Sequence, residues 1–287
     1  MIEEIKSLGF KKVELNYEVT EDMVCDISKM VENGEIEVTS IHNVFPKTYD
    51  RAFGPDSFLL GFEDRTMREK GVQFTKTTVD YAAGLGAMAV VIHPGEIPIS
   101  KDYNSLLVEL IEQGKKKTPE YTHLFEEMIN YREVNSPRYV KLIGDSLEEI
   151  CDYIARKGYD ITLGLENRVR CNQIPVFHEV HTLLDRLRGL PVRFWYDVGH
   201  GMILEQLGIF NNLREINTLK GQIIGVHIHD VKLMRDHICP FIMDDSFNKY
   251  MDTVKHIPIK VLELSSMCSK EDVTLCLKLI TEALAKI

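Results

Sequence analysis

Residues Gly225–His237 read GVHIHDVKLMRDH. Val226 and Ile228 alternate with His227 and His229, the period of an extended strand, so both imidazoles fall on one face. Imidazole nitrogens buried in a strand need partners. Two of them side by side, followed by Asp230, Asp236 and His237, point to something bound at this strand's end.

Working outward, six more strand-like runs flank this one at 223–230: residues 11–17, 37–45, 87–94, 160–167, 192–199 and 259–266. Amphipathic helical stretches such as GDSLEEICDYIARKG separate them. Gly9, Gly86 and Gly158 each stand where a helix would close before the next strand. Strict alternation of strand and helix implies a parallel sheet, and this many units favour closure into a (β/α)8 TIM barrel. A single such domain, typically about 250 residues, accounts for the full 1–287. Only seven strands can be counted, because the chain opens on the helical IEEIKSLG. The first barrel strand is therefore expected to be missing, or another segment fills its place. Residues 98–141, after the HPG strand end, are expected to form a mostly helical insertion that could serve as a lid.

The composition is 44% apolar and 27% charged, that of a soluble globular chain with a large core. A net charge of −10, from 34 basic and 44 acidic residues, provides no basic footprint, so a nucleic-acid partner is not expected. The six cysteines are scattered without a C-x-x-C pair, which suits a reducing cytosol. No apolar run approaches the ~20 residues of a membrane span, and no secretory signal opens the chain. A cytoplasmic protein without a membrane partner is the expectation.

The polar residues mark the strand ends. His42, His93, Glu166, Asp197 with His200, His227 with His229, and Glu263 each lie at or near the C-terminal end of a strand. A parallel barrel brings those ends to one mouth. Imidazoles and carboxylates so gathered form a ligand set for Zn²⁺, Mn²⁺, Co²⁺ or Fe²⁺. Three other signals read as structural. Glu14 suits a barrel-layer pair with a Lys or Arg. The FHEVH run spaces His178 and His181 three apart, unlike the four of the zinc-protease helix, and fits a helix face. The lysines of GKKK, 114–117, fit a solvated helix end.

The ordered motifs HPG (93–95), LENR (165–168), YDVGH (196–200), GVHIHDV…DH and LEL (262–264) resemble those of the xylose isomerase-like TIM barrels. Within these they are most similar to the sugar phosphate isomerase/epimerase group, with endonuclease IV a more distant relative. The resemblance implies that Glu166, Asp197, His227 and Glu263 hold a central divalent metal. It implies a substrate or second-metal contact for His200, a possible second metal on His42 and His93, and a mouth position for His237. Two departures stand out. After His237 the chain reads ICPFIMDD, where relatives carry a Pro-Gly-x-Gly turn. Arg235 occupies a position where the endonuclease branch has an aspartate, which argues against a third metal held in that manner.

The expected activity is a sugar or polyol isomerase or epimerase, dependent on one divalent ion (Mn, Co, Zn or Mg), with two or three ions possible. Glu166 and Glu263 would move the proton next to a carbonyl through an enediolate. Arg168, His200, His229 and His237 would contact a sugar, sugar phosphate or cyclic polyol, the Arg168 fork suiting an anionic group. His229 could instead orient a ligand, and Asp230 would hold the following loop or an imidazole. The alternatives are an endonuclease IV-like phosphodiesterase and an inosose-type dehydratase.

Overall fold

The computed structural model describes residues 2–286. Strands are β1 (Lys12–Leu15), β2 (Glu37–His42), β3 (Ala89–Ile92), β4 (Gly95–Glu96), β5 (Thr162–Glu166), β6 (Gln173–Ile174), β7 (Val192–Asp197), β8 (Ile223–Ile228), β9 (Asp230–Lys232), β10 (Arg235–Ile238) and β11 (Ile259–Leu262). Seven form one sheet in the order β1-β2-β3-β5-β7-β8-β11, every neighbouring pair parallel. They are the seven expected strands, and they make a nearly closed α/β TIM barrel. Among the described residues no ladder joins β1 to β11. Accordingly Val261 and Leu262 of β11 are only half-buried, whereas all four residues of β3 are buried. The short strands form two antiparallel pairs at the mouth, β4 with the distant β6 and β9 with β10, the latter a hairpin.

The outer layer begins with α1 (Ile2–Ser7), α2 (Glu21–Glu32), α3 (Arg65–Gly84), α4 (Tyr103–Glu112) and α5 (Pro119–Lys157). It continues through α6 (Phe177–Arg186), α7 (Val198–Leu207), α8 (Asn212–Thr218), α9 (Asn248–Lys255) and α10 (Lys270–Lys286). Gly158 closes α5 at φ 67°, a left-handed conformation that frees its amide to bond Ala155 O, so here glycine is required. The strand residues turned outward (Ile41, Val90, Leu163, Leu165, Phe194, Tyr196, Val226, Ile228) pack under these helices in one apolar core. No helix among the described residues is long and apolar enough to cross a membrane.

Inside the barrel, Trp195 fills the floor with Ala89, Val91 and Ile259. Room for the indole comes from two glycines on the adjoining strands. A Cβ on Gly164 would stand 2.9 Å from the ring, and one on Gly225 would overlap it. Gly225→Ala is therefore expected to cost about 1–3 kcal/mol through overpacking, read as a lower urea midpoint with an unchanged slope.

The expected insertion differs from what is seen. α5 runs unbroken for 39 residues with Pro137 inside it, so no boundary falls at 141: the insertion and a barrel helix are one rod. α4 and the start of α5 build a second apolar core with Cys171, Val176 and α7, using Tyr103, Leu107, Tyr121, Met128, Ile203 and Leu207. Tyr121 Oη donates to Leu207 O at 2.8 Å. His178 is exposed and His181 meets Thr218 at 2.9 Å on the surface of α6, while Lys115, Lys116 and Lys117 are exposed.

Candidate metal centre and active site

Period two within each strand sends Ser40 and His42, Ala89 and Val91, Gly164 and Glu166, Trp195 and Asp197, and Gly225 and His227 to the barrel interior. Register then sets Asp197 beside His227 across the β7–β8 ladder. On the other side His227 pairs with Val261, two residues before Glu263. Residues nearly a hundred positions apart thus meet at one level of the mouth.

His227 Nδ1 lies 3.4 Å from Glu166 Oε1, 3.5 Å from Asp197 Oδ2 and 3.2 Å from Glu263 Oε2. All four ligand atoms fall within 4.8 Å of one another. Ligand atoms about 2.1 Å from a shared ion stand about 3.4 Å apart at tetrahedral angles. His227 Nδ1 and Glu263 Oε2 are buried and make no hydrogen bond among the described residues. Unpartnered polar atoms are costly in a core, and a cation at their common centre satisfies both. The residues present fit a divalent metal.

Surrounding groups aim these atoms. Glu14 Oε1 accepts from His227 Nε2 at 2.8 Å, which turns Nδ1 to the centre. Glu14 is itself held by Ser40 Oγ at 2.6 Å. Its partners are therefore an imidazole and a hydroxyl, not the Lys or Arg expected. Asp197 ends β7 and caps α7, Oδ1 accepting the His200 amide at 2.7 Å. Its Oδ2 is 3.0 Å from His229 Nε2. Because the His237 amide donates to His229 Nδ1 at 2.9 Å, the proton of His229 must sit on Nε2 and point at Asp197. His229 is fully buried, orients the Asp197 carboxylate, and spends both its nitrogens inside the protein. Asn167 ties β5 to β7, donating to Asp197 O at 2.9 Å and accepting from Asp197 N at 2.8 Å.

His200 Nδ1 is 3.0 Å from Asn167 O and 3.2 Å from Glu166 Oε1. His237 adopts φ 55° in the β9–β10 hairpin, and its half-exposed ring places Nδ1 3.1 Å from Glu263 O. Asp230 is buried and receives the Val231 amide at 2.7 Å, holding the turn into that hairpin. His42 stacks on His227 with ring centroids 5.3 Å apart. His93 meets Glu166 Oε2 at 2.7 Å. Arg168 reaches Glu166 Oε1 at 3.3 Å and Asp56 Oδ1 at 2.9 Å. The barrel mouth thus gathers all ten candidate residues. Glu14, Asp56 and Asn167 join them; Glu14 faces inward on its strand and Asn167 lies within the LENR motif, whereas Asp56 carries no sequence signal.

The electrostatics follow from several carboxylates in a buried space. Burial alone would favour the neutral form of Glu166, but His93, His227 and Arg168 hold its carboxyl well below the usual range. For Asp197 burial acts the same way, and His200 and His229 overturn it. Burial opposes charge on His227 too, yet Glu263, Glu14 and Glu166 push it well above 6.5. His200 rises to about 9 against burial through Asp197 and Glu166. His42, by contrast, is driven well below 6.5 by burial and by the neighbouring His93. The carboxylates draw positive charge onto His200 and His227.

Fold and site together define an α/β barrel with a histidine–carboxylate cluster, a candidate metal site, at its mouth. The chain belongs to the xylose isomerase-like TIM barrel family, whose model matches residues 2–267. It is similar in structure to a D-tagatose 3-epimerase-like protein, with TM-score 0.67 and 16% identity over 99% of this chain and 92% of that one. It is also similar to a D-psicose 3-epimerase, with TM-score 0.67 and 15% identity over 99% and 92%. A third is the 3-keto-D-glucoside 4-epimerase of E. coli, with TM-score 0.63 and 14% identity over 97% and 91%. No curated protein matches by sequence.

Proposed function

We propose that this chain is a divalent-metal-dependent isomerase or epimerase of sugars or polyols. The observation that carries the reading is the convergence of Glu166, Asp197, His227 and Glu263 on one point, with two of their atoms buried and unpartnered. A divalent cation held there would polarise a substrate carbonyl and the adjacent hydroxyl as a Lewis acid. Family membership and the epimerase neighbours point to the same substrate class.

Glu166 and Glu263 stand on β5 and just beyond β11, three places apart in the sheet, and so face each other across the mouth. Each would give one oxygen to the centre and use a second for a proton on carbon: Glu263 Oε1, and Glu166 Oε2, which lies 2.7 Å from His93 Nε2 and would exchange that contact for the substrate. One carboxylate removes the proton from one face of the substrate carbon, and the other returns a proton to the opposite face. Glu263 is half-exposed and Glu166 is buried, so the two meet the substrate from different surroundings. His200 and His237 at the mouth orient hydroxyls.

The direct test is hydrogen exchange. Metal-loaded protein in deuterated water is expected to wash out the proton next to the carbonyl of a ketose or keto-polyol, followed by NMR. A folded, metal-loaded protein that exchanges no such proton across a panel of keto-sugars would sink the reading, and an abasic oligonucleotide cut instead would replace it. A further expectation concerns the orientation of His227. Glu14→Gln is expected to weaken metal binding about 10–100-fold, because the carboxylate behind a ligating imidazole sets its tautomer and basicity. Competition with a chelator of known affinity measures this.

A further inference from the structure

His42, His93 and Glu166 also place ligand atoms within 4.8 Å of one another, a second candidate metal group beside the first. The surroundings of His93 argue against its use. His93 Nδ1 is 3.0 Å from Pro55 O, an acceptor only, so Nδ1 carries a proton and Nε2 is the only nitrogen left for a metal. That Nε2 is 2.7 Å from Arg168 Nη1 and 2.7 Å from Glu166 Oε2. As an acceptor, its lone pair is taken by the guanidinium; as a donor, its proton is spent on Glu166. Both states close it to a second ion.

Arg168 is a permanent charge that cannot be titrated away. Its side chain is only 9% exposed. Two carboxylates fix it, Asp56 Oδ1 at 2.9 Å and Glu166 Oε1 at 3.3 Å. Gln173 Nε2 donates to the same Asp56 oxygen at 2.8 Å and steadies it. Charge next to Glu166 is thus already supplied by the fold. A second divalent ion between His93 and Glu166 would meet a guanidinium in hydrogen-bond contact with both residues.

We infer that Arg168 is a resident cation standing in the place of a second metal, so that the centre holds one divalent ion. Arg168 Nε, buried without a partner among the described residues, adds a donor to that side of the site. The inference rests on the assignment of Glu166, Asp197, His227 and Glu263 to the first ion, and it can fail while that assignment stands.

The test is metal stoichiometry at saturation, by elemental analysis after gel filtration, with EPR of the Mn²⁺-loaded protein. The wild type is expected to hold a single ion and to show the spectrum of isolated Mn²⁺. Arg168→Met keeps the length of the side chain and removes its charge, and is expected to take up a second ion. Uptake that disappears in the Arg168→Met/His93→Ala double variant places that ion on His93. Two ions in the wild type, with the exchange-coupled spectrum of a carboxylate-bridged pair, would overturn the inference and leave the isomerase reading intact. A folded Arg168→Met protein that still binds one ion would overturn it too. No ion in the wild type would sink the proposed function itself. Because the wild-type count and spectrum decide the question, misfolding of the Arg168 variant does not rescue the inference.

Discussion

Glu166→Gln is expected to slow exchange of the carbonyl-adjacent proton by about 10²–10⁴-fold or more, the usual contribution of a general base. The effect is compounded if Glu166 holds the ion as proposed, because the amide is a weaker ligand. Stability falls as well. Glu166 is fully buried, and its carboxylate faces Arg168, His93, His200 and His227. Removing one partner of a buried ionic network costs about 3–5 kcal/mol. Glu263→Gln separates the two effects. Its side chain is 32% exposed and its partners are fewer, so the fold should survive while exchange is lost. Exchange by NMR and urea unfolding on both variants check this. A Glu166→Gln protein with normal exchange would remove the carboxylate pair from the mechanism.

The second large effect lies outside the centre. Arg132 on α5 is buried, with Nη2 2.6 Å from both oxygens of the equally buried Glu179 on α6. Its Nη1 holds the carbonyls of Cys171 and Gln173. Glu179 also accepts the Val176 amide at 2.8 Å, so the pair pins the loop that follows Glu166 to two helices. Arg132→Met leaves a buried carboxylate and two carbonyls unpartnered, and is expected to cost about 3–5 kcal/mol. Urea unfolding gives the number. The same loop carries Gln173, which bonds Asp56 beside Arg168, so weaker substrate binding should accompany the loss of stability.

The loop and the pair that clamps it show where reading by sequence stops. Arg132 and Glu179 are 47 residues apart on different helices, and each alone looks like an ordinary charged helix residue. Asp56 sits in irregular chain between β2 and α3, where no period marks which side chains turn inward. Glu14 faced the interior on its strand, but its partner His227 lies 213 residues away and could not be named. The unbroken α5 was missed for a related reason. A helix keeps the same period when its packing surface passes from the insertion to the barrel, so nothing in the chain marks the change.

The seven strands and the His, Asp and Glu at their ends were legible because two rules act locally. Extended chain alternates its faces every residue, and parallel barrel strands deliver their C-terminal ends to one mouth. Those rules suffice to bring His42, His93, Glu166, Asp197, His200, His227, His229 and Glu263 together from sequence alone. They say nothing of distances between side chains. The tertiary structure alone shows that His227 Nδ1 faces three carboxylates while its Nε2 is tied to Glu14. It alone shows that His229 spends both nitrogens inside the protein, and that Arg168 lies against His93 and Glu166. Each of these depends on contacts between strands and loops far apart in the chain, and only the closed packing of the barrel sets them.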